Sequence, residues 1–376
     1  MSRGGIRVRL PLTVSSGGLG GEGRDLSALS IIGTGRYLPG EPIPNENLAR
    51  VMDTSDEWIR QRTGIHQRHF AEDGEGVSAL GAKAAAAAIE DAGIDASEID
   101  FVLFATMTPE HLFPGSGPLM AEKIGIKGVP ALDIRQQCAS FPFALELANG
   151  LIASGAAKTI LFVAADTHAS LMPFRDWEVV RGRASREIPQ TDYDRANEHR
   201  GIAVVFGDGA SAVLFRATER EGAGLLTSEL RSDGSRADHI YIPMGFSRLP
   251  FIDAEFAATD AHLPRMKGGN LLKAAVKELS ELARAVMARQ GIESDTIDLF
   301  IAHQANQRIN DAVASSLKLT PERIPSNIAR YGNTSSATIG ILLDELRREG
   351  RIKEGDLLCF LALGAGLHAG ASLFRY

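Results

Sequence analysis

The chain of 376 residues contains only two cysteines, Cys138 and Cys359, so a disulfide framework cannot hold it together. This suits a reducing compartment, and we expect a cytoplasmic protein. No run of about 18 uninterrupted apolar residues occurs, so no membrane-spanning helix is predicted. The formal net charge of −7 argues against general nucleic-acid affinity, because phosphate binding draws on dense positive charge. No cluster of His or Cys has metal-ligand spacing, and we expect no metal site.

The length is enough to bury a large core and fits one duplicated unit or two domains. Residues 1–28 are rich in Gly and Ser and precede the first predicted strand, so we interpret them as a flexible N-terminal extension. Their arginines would suit a targeting segment, but they lack the apolar stretch of a secretory signal. A disordered tail is the favoured interpretation.

Cys138 stands between a strand-like segment, PALDI, and a segment of helical periodicity, CASFPFALELANGLIASG. A thiol in the first turn of a helix faces unpaired N–H groups and the positive end of the helix dipole, and both favour the thiolate. We therefore expect a nucleophile. The alternative is a small buried hydrophobic residue, and we expect that role for Cys359 in the predicted strand DLLCFLALG.

The second part of the chain repeats the first. AGIDASEIDFVLFAT, residues 92–106, aligns without a gap on QGIESDTIDLFIAHQ, residues 290–304. Near the end of each repeat, GASAVLF at 209–215 matches GASLF at 370–374. Signals that recur in the same order indicate a duplicated helix–strand unit.

Within this repeat, Pro130 stands eight residues before Cys138, and Pro325 stands eight residues before Asn333. This match pairs Asn333 with Cys138 and places His303 at the end of a strand. If the halves pack about a pseudo-twofold axis, Cys138, His303 and Asn333 meet at the seam as nucleophile, imidazole and amide donor. Taken singly, His303 could be a core histidine and Asn333 a turn residue.

The chain resembles condensing enzymes of the thiolase superfamily, and most closely the β-ketoacyl-acyl carrier protein synthase III family. The resemblance lies in IIGTGRYLPGEPIPN, TSDEWIRQRTGI, the cysteine turn, HRGIAVVFGDGASAVLF, AHQANQRI, YGNTSSATIG and LALGAGLHAGASLFRY, which cover most of residues 30–376. It implies a five-layered α/β/α/β/α fold. We expect an N-terminal half at 29–220 with an insertion at about 171–199, and a C-terminal half at 221–376.

The resemblance also implies a mechanism. Cys138 takes an acyl group from an acyl-CoA, while the backbone N–H groups of Cys138 and Ala365 hold the oxyanion. His303 and Asn333 then donate hydrogen bonds to a malonyl thioester as it loses carbon dioxide, and the enolate attacks the acyl-cysteine. No tightly bound cofactor is needed, because coenzyme A thioesters are the substrates.

Further residues match binding positions of the family. Trp58, Arg62 and Arg200 resemble those that sandwich the adenine of coenzyme A, although Trp58 could also be a core residue. Phe113 matches the residue that limits the acyl pocket across a dimer interface, which implies a homodimer. Arg308 and Lys273 are candidate contacts for acyl carrier protein.

Several residues depart from the family pattern. Arg135, Gln136 and Gln137 precede the nucleophile where small residues are usual, and Ser315 and Ser316 stand where relatives often have lysines. His368 replaces a hydroxyl residue and is either a second titratable group or a spectator. The insertion at 171–199 either caps the substrate tunnel or decorates the surface.

We therefore expect decarboxylative condensation between an acyl-CoA primer and a malonyl thioester, with acyl carrier protein as the expected carrier. One alternative is a specialised acyltransferase or condensing enzyme of secondary or long-chain lipid metabolism that uses the same acyl-cysteine. Another is a non-catalytic subunit that binds acyl thioesters. The presence of Cys138, His303 and Asn333 together argues against the last.

Overall fold

The computed structural model describes residues 28–248 and 250–376. All of the predicted N-terminal extension except Ala28 lies outside these residues. The N-terminal half contains β1 (Ala28–Tyr37), β2 (Ile43–Pro44), α1 (Asn45–Leu48), α2 (Asp56–Thr63), β3 (Gln67–Arg68), α3 (Val77–Ala92), β4 (Phe101–Ala105), α4 (Ser116–Lys123), β5 (Ala131–Ile134), α5 (Ser140–Ala153), β6 (Thr159–Asp166), α6 (Trp177–Val180), α7 (Gln190–Glu198), α8 (Arg200–Ala203) and β7 (Gly209–Thr218).

The C-terminal half begins in a second sheet. It contains β8 (Gly224–Ser232), β9 (Ile240–Tyr241), α9 (Ala254–Ala257), β10 (Arg265–Met266), α10 (Gly268–Gln290), β11 (Leu299–Ala302), α11 (Gln307–Leu317), α12 (Ile328–Tyr331), α13 (Thr338–Arg348), β12 (Leu357–Gly364) and β13 (His368–Arg375). The chain changes sheet between Thr218 and Gly224, where we propose that the two halves join. No helix among residues 28–248 and 250–376 has both the length and the apolarity to cross a bilayer.

The two large sheets share one topology. The first has the order β1-β7-β6-β4-β5, and the second, read from its edge, has the order β8-β13-β12-β11. In each sheet the second strand is antiparallel to both the first and the third. The fourth strand then pairs in parallel with the third. The central strands β6 and β12 are buried along their whole length, which explains their continuous apolar sequences.

Five layers result from helices packed on both faces of these sheets. Helices α5 and α13 lie between the sheets and share one apolar core with them. Helices α3 and α4 cover the outer face of the first sheet, and α10 and α11 cover that of the second. The small side chains of the Ala-rich helix α3 allow it to pack very close to β1. The distance is so short that a Cβ at Gly35 of β1 would lie 2.2 Å from the Ala84 carbonyl oxygen. The predicted five-layered fold is confirmed.

The predicted duplication is visible in equivalent caps. Helices α3 and α10 both end at a glycine with φ of 63°, Gly93 and Gly291. Each is followed by a 3-10 turn and then by an aspartate that accepts a backbone N–H at the start of the next central strand. Asp100 accepts from Thr159 at 3.2 Å, and Asp298 accepts from Leu357 at 2.7 Å.

One detail of the predicted repeat is wrong. The turn before α5 is Gln137–Ala139, and the turn before α13 is Ser335–Ala337. Both start at a residue with positive φ, 50° at Gln137 and 53° at Ser335. The residue equivalent to Cys138 is therefore Ser336, not Asn333. The proline match misled because the prolines stand at different distances from the two turns: Pro130 is seven residues before Gln137, and Pro325 is ten residues before Ser335.

The insertion at 171–199 forms α6 and α7 and packs against the segment that carries α1 and α2. Met172, Phe174, Val179 and Val180 are buried in this contact. At its end, Arg195 of α7 makes two hydrogen bonds of 2.8 Å to Asp260, in the loop before α10. The segment is thus folded onto the body of the N-terminal half.

Candidate active site

A cavity of about 1270 Å³ lies between the two halves. Its wall includes residues from both, and most of the predicted functional residues are among them: Trp58, Arg62, Cys138, Lys273, His303, Arg308, Asn333 and Ala365. Leu171 is the single residue of the predicted insertion in this wall among the residues described, so the insertion does not cap the cavity.

Cys138 lies in the 3-10 turn that leads into α5, and its Sγ donates to Ser335 Oγ at 3.4 Å. Desolvation raises the pKa of the Cys138 thiol to about 12, because it outweighs the hydrogen bond that the thiol makes to Ser335, which acts in the opposite direction. Repulsion from Asp166 raises the pKa further. The direction of this shift is opposite to the one expected from the helix start.

The Gly-rich turn after β12 passes directly beside the turn that contains Cys138. A Cβ at Gly364 would lie 2.7 Å from the Gln136 carbonyl oxygen, 2.8 Å from the Ala139 nitrogen and 3.0 Å from the Cys138 nitrogen. Only glycine permits this approach. It brings the next residue, Ala365, into the cavity wall beside Cys138.

His303 follows β11 and extends its parallel pairing, since its N–H donates to Leu361 at 2.8 Å. The side chain is buried, and Nδ1 lies 2.6 Å from Thr338 Oγ1. Burial lowers the pKa of His303 to about 3, so the imidazole is neutral near pH 7. Within the described chain Nε2 has no hydrogen-bond partner, which leaves it available in the cavity.

Asn333 is held on both sides of its backbone by the segment before β7. Its N–H donates to Val205 at 3.0 Å, and its carbonyl accepts from Gly207 at 3.1 Å. The side-chain Oδ1 accepts the N–H of Ser335 at 2.8 Å. Because the oxygen is occupied, the Nδ2 group is the free donor of this side chain.

Ser335 was not predicted from the sequence, yet it touches all three parts of the site. Its backbone N–H donates to Asn333 Oδ1, its Oγ contacts the Cys138 sulfur, and its carbonyl oxygen lies 3.1 Å from the Thr338 hydroxyl, which also reaches His303. Extending the ungapped repeat as far as Cys138 would have pointed to this turn.

Trp58 lies in the first turn of α2, and its backbone N–H donates to Oγ of Ser55, the residue that caps the helix, at 3.1 Å. The guanidinium carbons of Arg62 and Arg200 lie 4.2 Å and 4.6 Å from the centre of the indole ring. The structure thus brings together the three residues predicted to bind adenine.

Other predicted residues lie in different surroundings. Phe113 is 82 % exposed and is not in the cavity wall of its own chain. Arg308 and Lys273 are exposed at the cavity. The His368 ring packs on the edge of Phe143, and its Nδ1 lies 2.8 Å from Ser232 Oγ.

The bulky residues before the nucleophile are partly in the site, since Arg135 and Gln137 line the cavity. Cys359 is buried in β12, as expected for a core residue. Within residues 28–248 and 250–376 there is no group of three or more His, Cys, Asp or Glu side chains that could hold a metal ion.

Two descriptions of one family match parts of the sequence. Residues 132–234 match 3-oxoacyl-[acyl-carrier-protein (ACP)] synthase III, and residues 287–376 match its C-terminal domain. Residues 60–173 also match the N-terminal domain of thiolase.

Full-length relatives are similar over nearly their whole length. The β-ketoacyl-[acyl-carrier-protein] synthase III of Rhodospirillum rubrum is 39% identical over 350 residues, which is 92% of this chain and 98% of the relative. That of Bradyrhizobium diazoefficiens is 38% identical over 351 residues, with the same coverage. The crystal structure of the Aquifex aeolicus 3-oxoacyl-[acyl-carrier-protein] synthase III has a TM-score of 0.79 at 35% identity, covering 93% of this chain and all of that one.

Proposed function

The chain belongs to the β-ketoacyl-acyl carrier protein synthase III family and is a condensing acyltransferase of fatty acid synthesis, and we propose that Cys138, His303 and Asn333 carry its reaction. The observation that supports these roles is that all three line one cavity and are joined through one residue, Ser335. The specialised alternatives have no comparable support.

In the first half-reaction the Cys138 sulfur attacks the carbonyl carbon of an acyl-CoA. The carbon–sulfur bond to coenzyme A breaks, and the proton of the Cys138 thiol is finally carried by the coenzyme A sulfur. The Cys138 and Ala365 N–H groups stabilise the oxyanion, a role supported by the close approach of Gly364. The thiol needs no deprotonation in advance, because the proton leaves during the exchange.

In the second half-reaction a malonyl thioester enters the same cavity. His303 Nε2 and Asn333 Nδ2 donate hydrogen bonds to its thioester carbonyl, and the electron pair left by departing carbon dioxide forms an enolate. The enolate carbon attacks the acyl group, and the released Cys138 sulfur takes up a proton. A neutral His303 suits this role, because the imidazole donates a hydrogen bond and keeps its proton.

Two groups of residues at or next to the cavity are assigned to substrate binding. We assign the coenzyme A adenine to Trp58 with Arg62 and Arg200, because these groups present flat faces and positive charge at one place. Arg308 and Lys273 supply positive charge at the cavity for the phosphate or acidic helix of a malonyl carrier protein. No tightly bound cofactor enters this scheme.

We propose a homodimer that forms along β5. This strand is the edge of the first sheet, and Leu132 on it is 42% exposed. Leu112, Phe113 and Leu147 are further exposed apolar residues in the same half. An unpaired edge with exposed apolar side chains favours pairing with a second copy. Phe113 would then reach the partner's cavity. Both thiols being free suits a cytoplasmic location.

The test separates the two half-reactions. Cys138→Ala should abolish acylation by acyl-CoA, whereas Cys359→Ala, the matched control, should keep it. His303→Ala and Asn333→Ala should still acylate, because neither residue acts in that step. Their release of carbon dioxide from a malonyl thioester should fall about a hundredfold to a thousandfold, as is typical when one oxyanion donor is removed.

Acyl-enzyme is followed by intact mass, and the labelled residue is located after digestion. Carbon dioxide release is measured separately. Acylation at Cys359, or decarboxylation near the parent rate in both variants, would contradict the assigned roles.

A further inference from the structure

The side chain of Thr338, the first residue of α13, is the one group that contacts Nδ1 of His303 in the described chain. The Oγ1–Nδ1 distance is 2.6 Å, and both residues are buried. A neutral imidazole carries its hydrogen on one nitrogen only. The hydrogen bond at Nδ1 therefore decides whether Nε2, at the cavity, donates or accepts.

Two arrangements fit this contact. In one, Nδ1–H donates to Thr338, and the hydroxyl hydrogen goes to the Ser335 carbonyl oxygen at 3.1 Å. In the other, the hydroxyl donates to Nδ1. The Ser335 carbonyl already accepts the backbone N–H of Thr338, so it does not need the hydroxyl as well. The contact to Nδ1 is also the shorter of the two.

We infer that Thr338 is a positioning residue whose hydroxyl donates to Nδ1 and thereby holds His303 with its hydrogen on Nε2. The consequence rests on the proposed function, because an Nε2–H group is what a forming enolate oxygen requires. The opposite tautomer would direct a nitrogen lone pair at the developing negative charge. Thr338 thus sets the chemical role of His303 without touching the substrate.

The tautomer can be observed directly. The protein is labelled with ¹⁵N-histidine, and the His303 ring signals are assigned by their absence from His303→Ala. We expect the parent enzyme and Thr338→Ser, which keeps the hydroxyl, to show a hydrogen bonded to Nε2. In Thr338→Val, which has the same shape without the hydroxyl, this signal should weaken. A hydrogen on Nδ1 in the parent would overturn the inference.

Rates provide the second readout. Thr338→Val should slow decarboxylation of a malonyl thioester about 10- to 100-fold, by analogy with the loss of hydrogen-bond partners behind metal-ligating histidines. Thr338→Ser, which keeps the hydroxyl, should decarboxylate at close to the parent rate. Acylation of Cys138 should be unchanged in both variants. Thr159→Val is the matched control, because it removes a buried hydroxyl that pairs with Arg216 at 3.1 Å and lies outside the cavity wall.

The outcomes separate the two proposals. If His303→Ala decarboxylates at the parent rate, the proposed role of His303 fails. If His303→Ala is slow but Thr338→Val matches the parent, the inference about Thr338 fails alone. Thermal unfolding of each variant shows whether it is folded. Should Thr338→Val not fold, the spectrum of the parent enzyme still decides the inference.

Discussion

Replacing Gly364 by Ala tests how closely β12 approaches the nucleophile turn. The added Cβ would lie 2.7 to 3.0 Å from three backbone atoms, of Gln136, Ala139 and Cys138, and ordinary contacts begin near 3.4 Å. No side chain can rotate away, so the strand or the turn must shift by several tenths of an ångström. Overpacking of this kind typically costs about 1 to 3 kcal/mol of folding stability.

The same shift should move the oxyanion donors. A misplacement of about 1 Å can cost a hundredfold in rate, so we expect acylation of Cys138 to slow about tenfold to a hundredfold. Acyl-enzyme is followed by intact mass, with thermal unfolding in parallel. Gly150→Ala, in α5, is the matched control, since no atom lies within 4 Å of its added Cβ. A folded Gly364→Ala that acylates as fast as Gly150→Ala would refute the reasoning.

Further predictions concern binding, charge, pH and assembly. Trp58→Ala should weaken acyl-CoA binding by about 1 to 3 kcal/mol, by analogy with base stacking elsewhere, and an unchanged dissociation constant by calorimetry would contradict the adenine site. Arg308→Glu should slow reaction with malonyl carrier protein far more than with malonyl-CoA, whereas Lys353→Glu, outside the cavity wall, should affect neither; equal effects on both substrates would argue against carrier-protein contact. Because the pKa of His303 is lowered to about 3, the unfolded chain takes up a proton below about pH 6.5 that the folded chain refuses. Stability should therefore fall from pH 7 to pH 4 more steeply in the parent than in His303→Gln, and parallel denaturant-unfolding profiles would refute this. Leu132→Lys should shift the sedimenting species from dimer to monomer if β5 forms the interface, and an unchanged mass would place the interface elsewhere.

The sequence predicted the duplicated fold well because its signals are local and periodic. The glycines that end α3 and α10, and the aspartates that follow, recur in both halves and can be compared without a structure. The family was equally accessible, since its motifs are spread over most of the chain. The roles of Cys138, His303 and Asn333 remain predictions that the cavity supports.

Other properties depend on packing that no motif encodes. Desolvation raises the pKa of Cys138, opposite to the direction expected from its helix-start position, and a sequence motif does not reveal desolvation. The hydrogen bonds of Ser335 and Thr338 join segments far apart in sequence. The insertion could not be placed from its polar composition, because its buried residues Phe174 and Val179 pack against the distant segment of α1 and α2.

Because Cys138 and Ser336 occupy equivalent positions, the two halves use the same turn in different ways. After a duplication, the two equivalent turns have the same sequence and both lie near the pseudo-twofold axis. In this chain we propose a nucleophile in only one of them, at Cys138. Ser336 is tied to Asp166 through both its N–H at 3.0 Å and its Oγ at 2.6 Å, and the same carboxylate accepts from Met107 and Thr108. The second turn has thus become an anchor. The turn of Ser336 is held in place by hydrogen bonds, whereas the equivalent turn carries the proposed nucleophile, Cys138.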